Sequence, residues 1–170
     1  MTDEILIVND QDKIVGFENR AKAHRLGLWH RIVCIYVLNS RSEIFMQKRG
    51  PNVELHPNLW DHSAAGHVDR GEEVLTAAKR ELFEELGIKT NKLEQIAYHK
   101  RQSNFEDKKL NRFWYLFKIT YDGPVKLQQE ELAGGKFVSI DWLKNDMKNN
   151  SQNYTNGFIK SFEEFLKQNK

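Results

Sequence analysis

The chain has a single cysteine, Cys34, so no intrachain disulfide can form. That suits a reducing compartment. It has no apolar run near the roughly 20 residues that a membrane span requires. Its start, Met1-Thr2-Asp3-Glu4-Ile5-Leu6-Ile7-Val8, lacks the basic opening and long apolar core of a signal peptide. These absences together lead us to expect a cytoplasmic protein with no membrane partner. It also lacks a dominant charge: 26 Lys plus Arg stand against 24 Asp plus Glu, a net of +2. A protein that coats nucleic acid or binds acidic membranes is usually more lopsided, so no nucleic-acid polymer is expected, although local basic clusters can still hold phosphate. No internal repeat and no compositional break divides the chain. Residues 1–170 read as one domain, with a hairpin and short helix over 1–30 and a C-terminal helix over 149–170.

What is present is a mixture of strands and helices. Residues 5–8 and 14–17 flank the turn Asn9-Asp10-Gln11-Asp12-Lys13 and predict a hairpin. Residues 19–26 predict a short helix ended by Gly27. Residues 31–38 are almost all apolar and β-branched or aromatic, which predicts a strand buried on both faces, and 43–48 predict the next strand. Residues 59–65 read as a further strand, and 72–86 as the strongest helix, rich in Ala, Leu, Glu, Lys and Arg, with Gly87 as its C-cap. Residues 93–100 and 112–120 predict two strands joined by a polar hairpin over 102–109. A short strand over 136–138 precedes a helix capped by Ser139, a polar linker over 149–156 and an amphipathic helix over 157–167. Strands interleaved with helices predict a mixed sheet covered on its faces, an α/β (α+β) fold.

One segment carries chemistry: Gly66-His67-Val68-Asp69-Arg70-Gly71-Glu72, then seven residues, then Arg80-Glu81-Leu82-Phe83-Glu84-Glu85-Leu86-Gly87-Ile88. On a helix turning about 100° per residue, Glu84 lies about −60° and Glu85 about +40° from Glu81, so three carboxylates share one stripe. Like charges so placed repel, and a hard divalent cation relieves the repulsion through oxygen ligands. By the same count Leu75, Leu82 and Leu86, with Phe83 further round, form the face packed on the sheet. The small residues Val74, Ala77 and Ala78 continue the acidic stripe and would leave room for a ligand. An acidic stripe taken alone is more often simply solvated; the complete pattern carries the functional reading.

That pattern resembles the Nudix box of the Nudix hydrolases, with every defined position filled from 66 to 88. The resemblance implies an α/β/α sandwich with a central mixed sheet, dependence on Mg²⁺ or Mn²⁺, and cleavage of a diphosphate linkage by a metal-activated water. Glu84 and Glu85 match the family's metal-ligand pair. Glu81 matches a further ligand or the residue that orients the water, and Gly66 the loop glycine whose carbonyl can touch the metal. Arg80 matches the residue that holds the box carboxylates by charge-assisted hydrogen bonds, and Glu72 its brace. A later acid often joins such sites, and Glu130 and Glu131 are the candidates.

The layout of His24, Leu28-Trp29-His30-Arg31, Gln47-Lys48-Arg49, Trp60-Asp61-His62-Ser63-Ala64-Ala65 and His67 is similar to the isopentenyl-diphosphate isomerase branch. That enzyme holds a metal with two early histidines and the one after the box glycine, for which His24, His30 and His67 are counterparts. The resemblance also requires a cysteine where Ala65 stands, and alanine cannot move a proton. Its paired glutamates are missing from Lys109-Leu110-Asn111, and Cys34 reads as core. The expectation is therefore a hydrolase with isomerase-like architecture acting on a nucleoside diphosphate derivative or similar small molecule. The rivals are the isomerase itself and a catalytically silent nucleotide-binding module. Arg49, Arg70, His30 and His67 are the candidate contacts to substrate, with Lys48, Lys100 and Arg101 as further basic residues near the site mouth. Phe105, Phe113, Trp114 and Tyr115 read as core, with base stacking as the alternative. The chain is expected as a monomer or a homodimer.

Overall fold

The structure is a computed structural model and describes residues 3–168. Residues 1–2 and 169–170 lie outside the described residues, and with them the Met1-Thr2 start of the N-terminal run. In chain order the elements are β1 (Glu4–Val8), β2 (Ile14–Asn19), α1 (Arg20–Leu26), β3 (His30–Leu38), β4 (Glu43–Arg49), β5 (Trp60–Asp61) and β6 (Ala64–His67). There follow α2 (Val74–Leu86), β7 (Glu94–Phe105), β8 (Lys108–Thr120), β9 (Leu132–Ser139), α3 (Ile140–Asn149) and α4 (Asn156–Gln168).

Strand β3 is the axis of the sheet because its apolar run can be buried on both faces. On one edge it carries β8 in parallel, from His30↔Arg112 to Leu38↔Thr120. On the other it carries β6 antiparallel, from Ile32↔His67 to Ile35↔Ala64. The other strand pairings are antiparallel, so the sheet is mixed, as expected.

Side chains alternate across a strand, and β3 builds two cores accordingly. Val33, Ile35 and Val37 pack with Ala77, Ala78, Leu82 and Leu86 of α2. Ile32, Cys34 and Tyr36 pack with Leu143 and Met147 of α3 and with Phe158, Phe162 and Phe165 of α4. The result is the expected α/β/α sandwich. Each large side chain so buried contributes about 1.5–3 kcal/mol before entropy is counted. A buried polar chain pins α4 to the sheet: Ser161 Oγ meets Tyr36 Oη at 2.6 Å and also His62 Nε2, while His62 Nδ1 meets Asp61 Oδ1 at 2.7 Å. Ser161 is fully buried, so this Ser-His-Asp order is a structural tie with no access for a substrate. Among the described residues no helix is long and apolar enough to cross a membrane.

Several local expectations are corrected. The stretch 59–65 is broken between β5 and β6 at His62-Ser63, whose side chains are spent on buried hydrogen bonds. The polar residues 102–109 are mostly strand: β7 and β8 pair from Glu94↔Lys118 to Phe105↔Lys108. The last short strand extends over Leu132–Ser139, and Asn149 ends α3 before a 3-10 turn at Ser151–Asn153. On α2, Leu75 and Phe83 are exposed, whereas Ala77 and Ala78 are fully buried. The alanines bring the helix close to the sheet and leave no room for a ligand.

Candidate active site

The site begins where β6 leaves the sheet and the chain loops into α2. Helix α2 stops at Gly87, whose φ of +69° suits glycine, and whose N–H returns to the last turn. Within the helix Arg80 acts as the clasp. Its Nε and Nη2 donate to the two oxygens of Glu72 at 3.0 and 2.9 Å, and Nη2 also donates to the His67 carbonyl at 2.9 Å. Its Nη1 donates to Glu81 at 2.7 Å and to Glu84 at 3.1 Å. Asp69 lies 3.6 Å from the same guanidinium, and its backbone N–H donates to Glu72. Burial works against the charge on Arg80, but Glu72 and Glu81 outweigh it and raise its pKa.

The carboxylates are crowded and partly or wholly desolvated. Glu85 is buried and accepts from the Ala65 N–H at 2.9 Å and, more weakly, from the Gln47 amide at 3.3 Å. Burial, with the Glu81 charge, pushes its pKa well above the ordinary value. Glu81 is raised to about 7, again chiefly by burial, with Arg80 opposing and Glu84 and Asp69 adding repulsion. A Cβ at Gly66 would collide with the Glu81 carboxylate and displace it. Gln47 Oε1 is sealed without a donor beside Glu85. Glu81 and Glu85, whose ionisation burial disfavours, and the orphaned Gln47 oxygen are hard oxygen donors of the kind a divalent cation takes.

The other sequence candidates take varied places. Glu130 and Glu131 are exposed, on a loop whose backbone bonds to α2 through Gln128 N→Glu85 O at 3.0 Å and to Gly50 through Glu131 O at 2.6 Å. Arg49 donates to the Leu55 carbonyl at 2.9 Å and meets Asp61 at 3.4 Å. Arg70 turns to the N-terminal hairpin, bonding Glu4 at 3.0 Å and lying 3.5 Å over the Phe17 ring. Lys48 lies over Trp60, Lys100 over Trp29 and Arg101 over Trp114. Phe113 and Trp114 are core, Phe105 packs on His56, and the Tyr115 hydroxyl donates to Asp12. Cys34 is buried core, its thiol pKa pushed up by burial.

His24, His30 and His67 do come together, with ligand atoms within 4.8 Å of one another. They lie across β6 from the α2 carboxylates. Their neighbour on β8 is Arg112, which the sequence reading passed over by one position. Gln47 and Asp69 were also missed; the signal for Gln47 was a polar side chain inside the apolar strand β4.

A family model described as the NUDIX domain matches residues 28–157. Nudix hydrolase PA4841 of Pseudomonas aeruginosa is 36% identical over 132 residues, covering 77% of this chain and 75% of that protein. Isopentenyl-diphosphate Delta-isomerase 1 of Aromatoleum aromaticum is 28% identical over 155 residues, covering 91% of this chain and 88% of that enzyme. The crystal structure of DR0079 from Deinococcus radiodurans superposes with a TM-score of 0.69 at 24% identity, covering 86% of this chain and 90% of that one; at that identity it speaks for the fold alone. The match over most of the chain, on a sheet and helix that gather the box residues around Arg80, makes this protein a member of the Nudix hydrolase family, which acts on pyrophosphate bonds.

Proposed function

We propose that the chain is a metal-dependent pyrophosphohydrolase whose substrate is a nucleoside diphosphate derivative or a similar small diphosphate. One observation supports this most: Glu81 and Glu84 share Arg80 Nη1, Glu81 lies against Gly66, and Glu85 accepts from the neighbouring Ala65 N–H. Glu84 and Glu85, with Glu81 and the Gly66 carbonyl, would hold Mg²⁺ or Mn²⁺. When bound, the cation supplies Lewis-acid polarisation of the diphosphate and neutralises its charge. Arg80 keeps the loop and helix in register, so that the carboxylates are aimed before substrate arrives. Where it does not ligate the cation, Glu81 is the candidate to orient or deprotonate the attacking water. Glu130 or Glu131, on the loop tied to the end of α2, is the alternative base. Arg49, His30 and His67 are assigned to the substrate's phosphates. Arg70 keeps such a role only by leaving Glu4.

The isomerase reading is disfavoured because Ala65 has no proton to give and Cys34 is sealed in the core. A panel of diphosphates assayed with Mg²⁺ or Mn²⁺, and with chelator, tests the proposal. Metal-dependent release of a phosphate product from at least one member is expected. No hydrolysis, together with allylic product formed from isopentenyl diphosphate, would replace it with the isomerase. Tight nucleotide binding without turnover of any member would replace it with a silent binding module.

A further inference from the structure

We propose that His24, His30, His67 and Arg112 form a phosphate-binding site distinct from the carboxylates of α2. The three imidazoles make a near-regular triangle, with ring centroids 5.1, 5.2 and 5.2 Å apart. His24 and His30 are almost completely buried, while His67 and Arg112 are partly open and give the cluster its access. Arg112 stands opposite His30 in the parallel register of β3 and β8.

Charge identifies the ligand. Among the described residues the Arg112 side chain makes no ion pair or hydrogen bond, its Nε is sealed from solvent, and its guanidinium lies 5.8 Å from the Trp114 ring centre. Burial lowers its pKa to about 10, so it remains a cation at neutral pH. Around it stand three imidazoles, of which His30 Nε2 and His24 Nδ1 are sealed from solvent without a hydrogen-bond partner. The Arg112 guanidinium thus has no ion-pair partner among the described residues, an arrangement that an anion would complete. A divalent cation placed among these imidazoles would face the Arg112 guanidinium.

Hydrogen bonding narrows the anion to one that also donates. His30 Nδ1 donates to the Leu28 carbonyl at 2.9 Å, so its Nε2 presents a bare lone pair, and that atom has no partner. His24 Nε2 and His67 Nε2 share one hydrogen at 3.1 Å, leaving His24 Nδ1 as a second orphan. A phosphate retaining one proton matches this set: P–O⁻ accepts from the Arg112 guanidinium and P–OH donates to an imidazole nitrogen. The phosphate is either the terminal group of the substrate, in which case its identity rests on the hydrolase reading above, or free inorganic phosphate.

Calorimetric titration of the full chain with inorganic phosphate, without divalent metal, tests the site. Binding should weaken at least about 10-fold in Arg112→Gln and be unchanged in Glu84→Gln. Thermal melting of Arg112→Gln should show no loss of stability, since an unpaired buried charge has been removed; this keeps unfolding from mimicking the result. Titration with ADP separates the sources: weaker ADP binding in Arg112→Gln assigns the site to substrate, and unchanged ADP binding assigns it to free phosphate. Equal phosphate affinity in wild type and Arg112→Gln overturns the proposal. So does a Co²⁺ absorption band in the wild type that His24→Ala abolishes and Glu84→Gln retains. The hydrolase reading fails separately, through the turnover of Glu84→Gln.

Discussion

Strand β6 separates two clusters of opposite electrical design. On the α2 side, Glu72, Glu81, Glu84 and Asp69 crowd round the single guanidinium of Arg80, with Glu85 buried behind them. On the other side, Arg112 and three imidazoles make no ion pair with a carboxylate among the described residues. Both clusters bring potential metal-ligating atoms together. On the two proposals above, the sign of the uncompensated charge, more than the geometry of donor atoms, distinguishes a cation site from an anion site.

The comparison is broken most severely from the acidic side. Glu85→Gln removes a ligand charge but keeps the shape, and a neutral side chain is tolerated where burial already disfavours ionisation. Turnover should fall by about 1,000-fold, with circular dichroism unchanged. Arg80→Ala, which leaves Glu72, Glu81 and Glu84 without their cation, should cost about 2 kcal/mol in metal-free urea denaturation, discounted for the partial exposure of the group. Added Mg²⁺ should return part of that loss. Gly66→Ala forces Glu81 aside and should weaken Mn²⁺ binding with little loss of stability in urea denaturation. The smallest effect comes from the histidine side. His24 and His30 have folded pKa values of about 4 and about 3 against an ordinary 6.5. The unfolded chain therefore takes up protons first: their contribution is full above pH 6.5 and is lost as the pH falls toward those values. His24→Gln should flatten the decline in melting temperature over that range; an unchanged slope would remove His24 from the acid response.

The acidic cluster was legible in the sequence because its members lie within one loop and helix, where spacing along the chain fixes their angular positions. The histidine cluster was legible only in part. His24, His30 and His67 were singled out, but Arg112 reaches them from a distant strand through the β3–β8 register, and no local spacing reveals a register. Gln47 escaped for the same reason, arriving beside Glu85 from β4. The strands of the core were plain because an apolar run has one economical fate. The β7–β8 ribbon was not: its polar end, from Arg101↔Arg112 to Phe105↔Lys108, is largely solvated and so resembles a loop in composition. Ala77 and Ala78 were misread as space, although small side chains on a helix also permit close packing on a sheet.

The central claim is that the α2 carboxylates hold the divalent cation used in hydrolysis. Electron paramagnetic resonance titration of Mn²⁺, with turnover measured on the same samples, tests it most directly. Mn²⁺ binding and turnover should disappear together in the Glu84→Gln/Glu85→Gln double variant, and Mn²⁺ binding should persist in His24→Ala. Binding retained in the double variant, or lost in His24→Ala alone, would contradict the account.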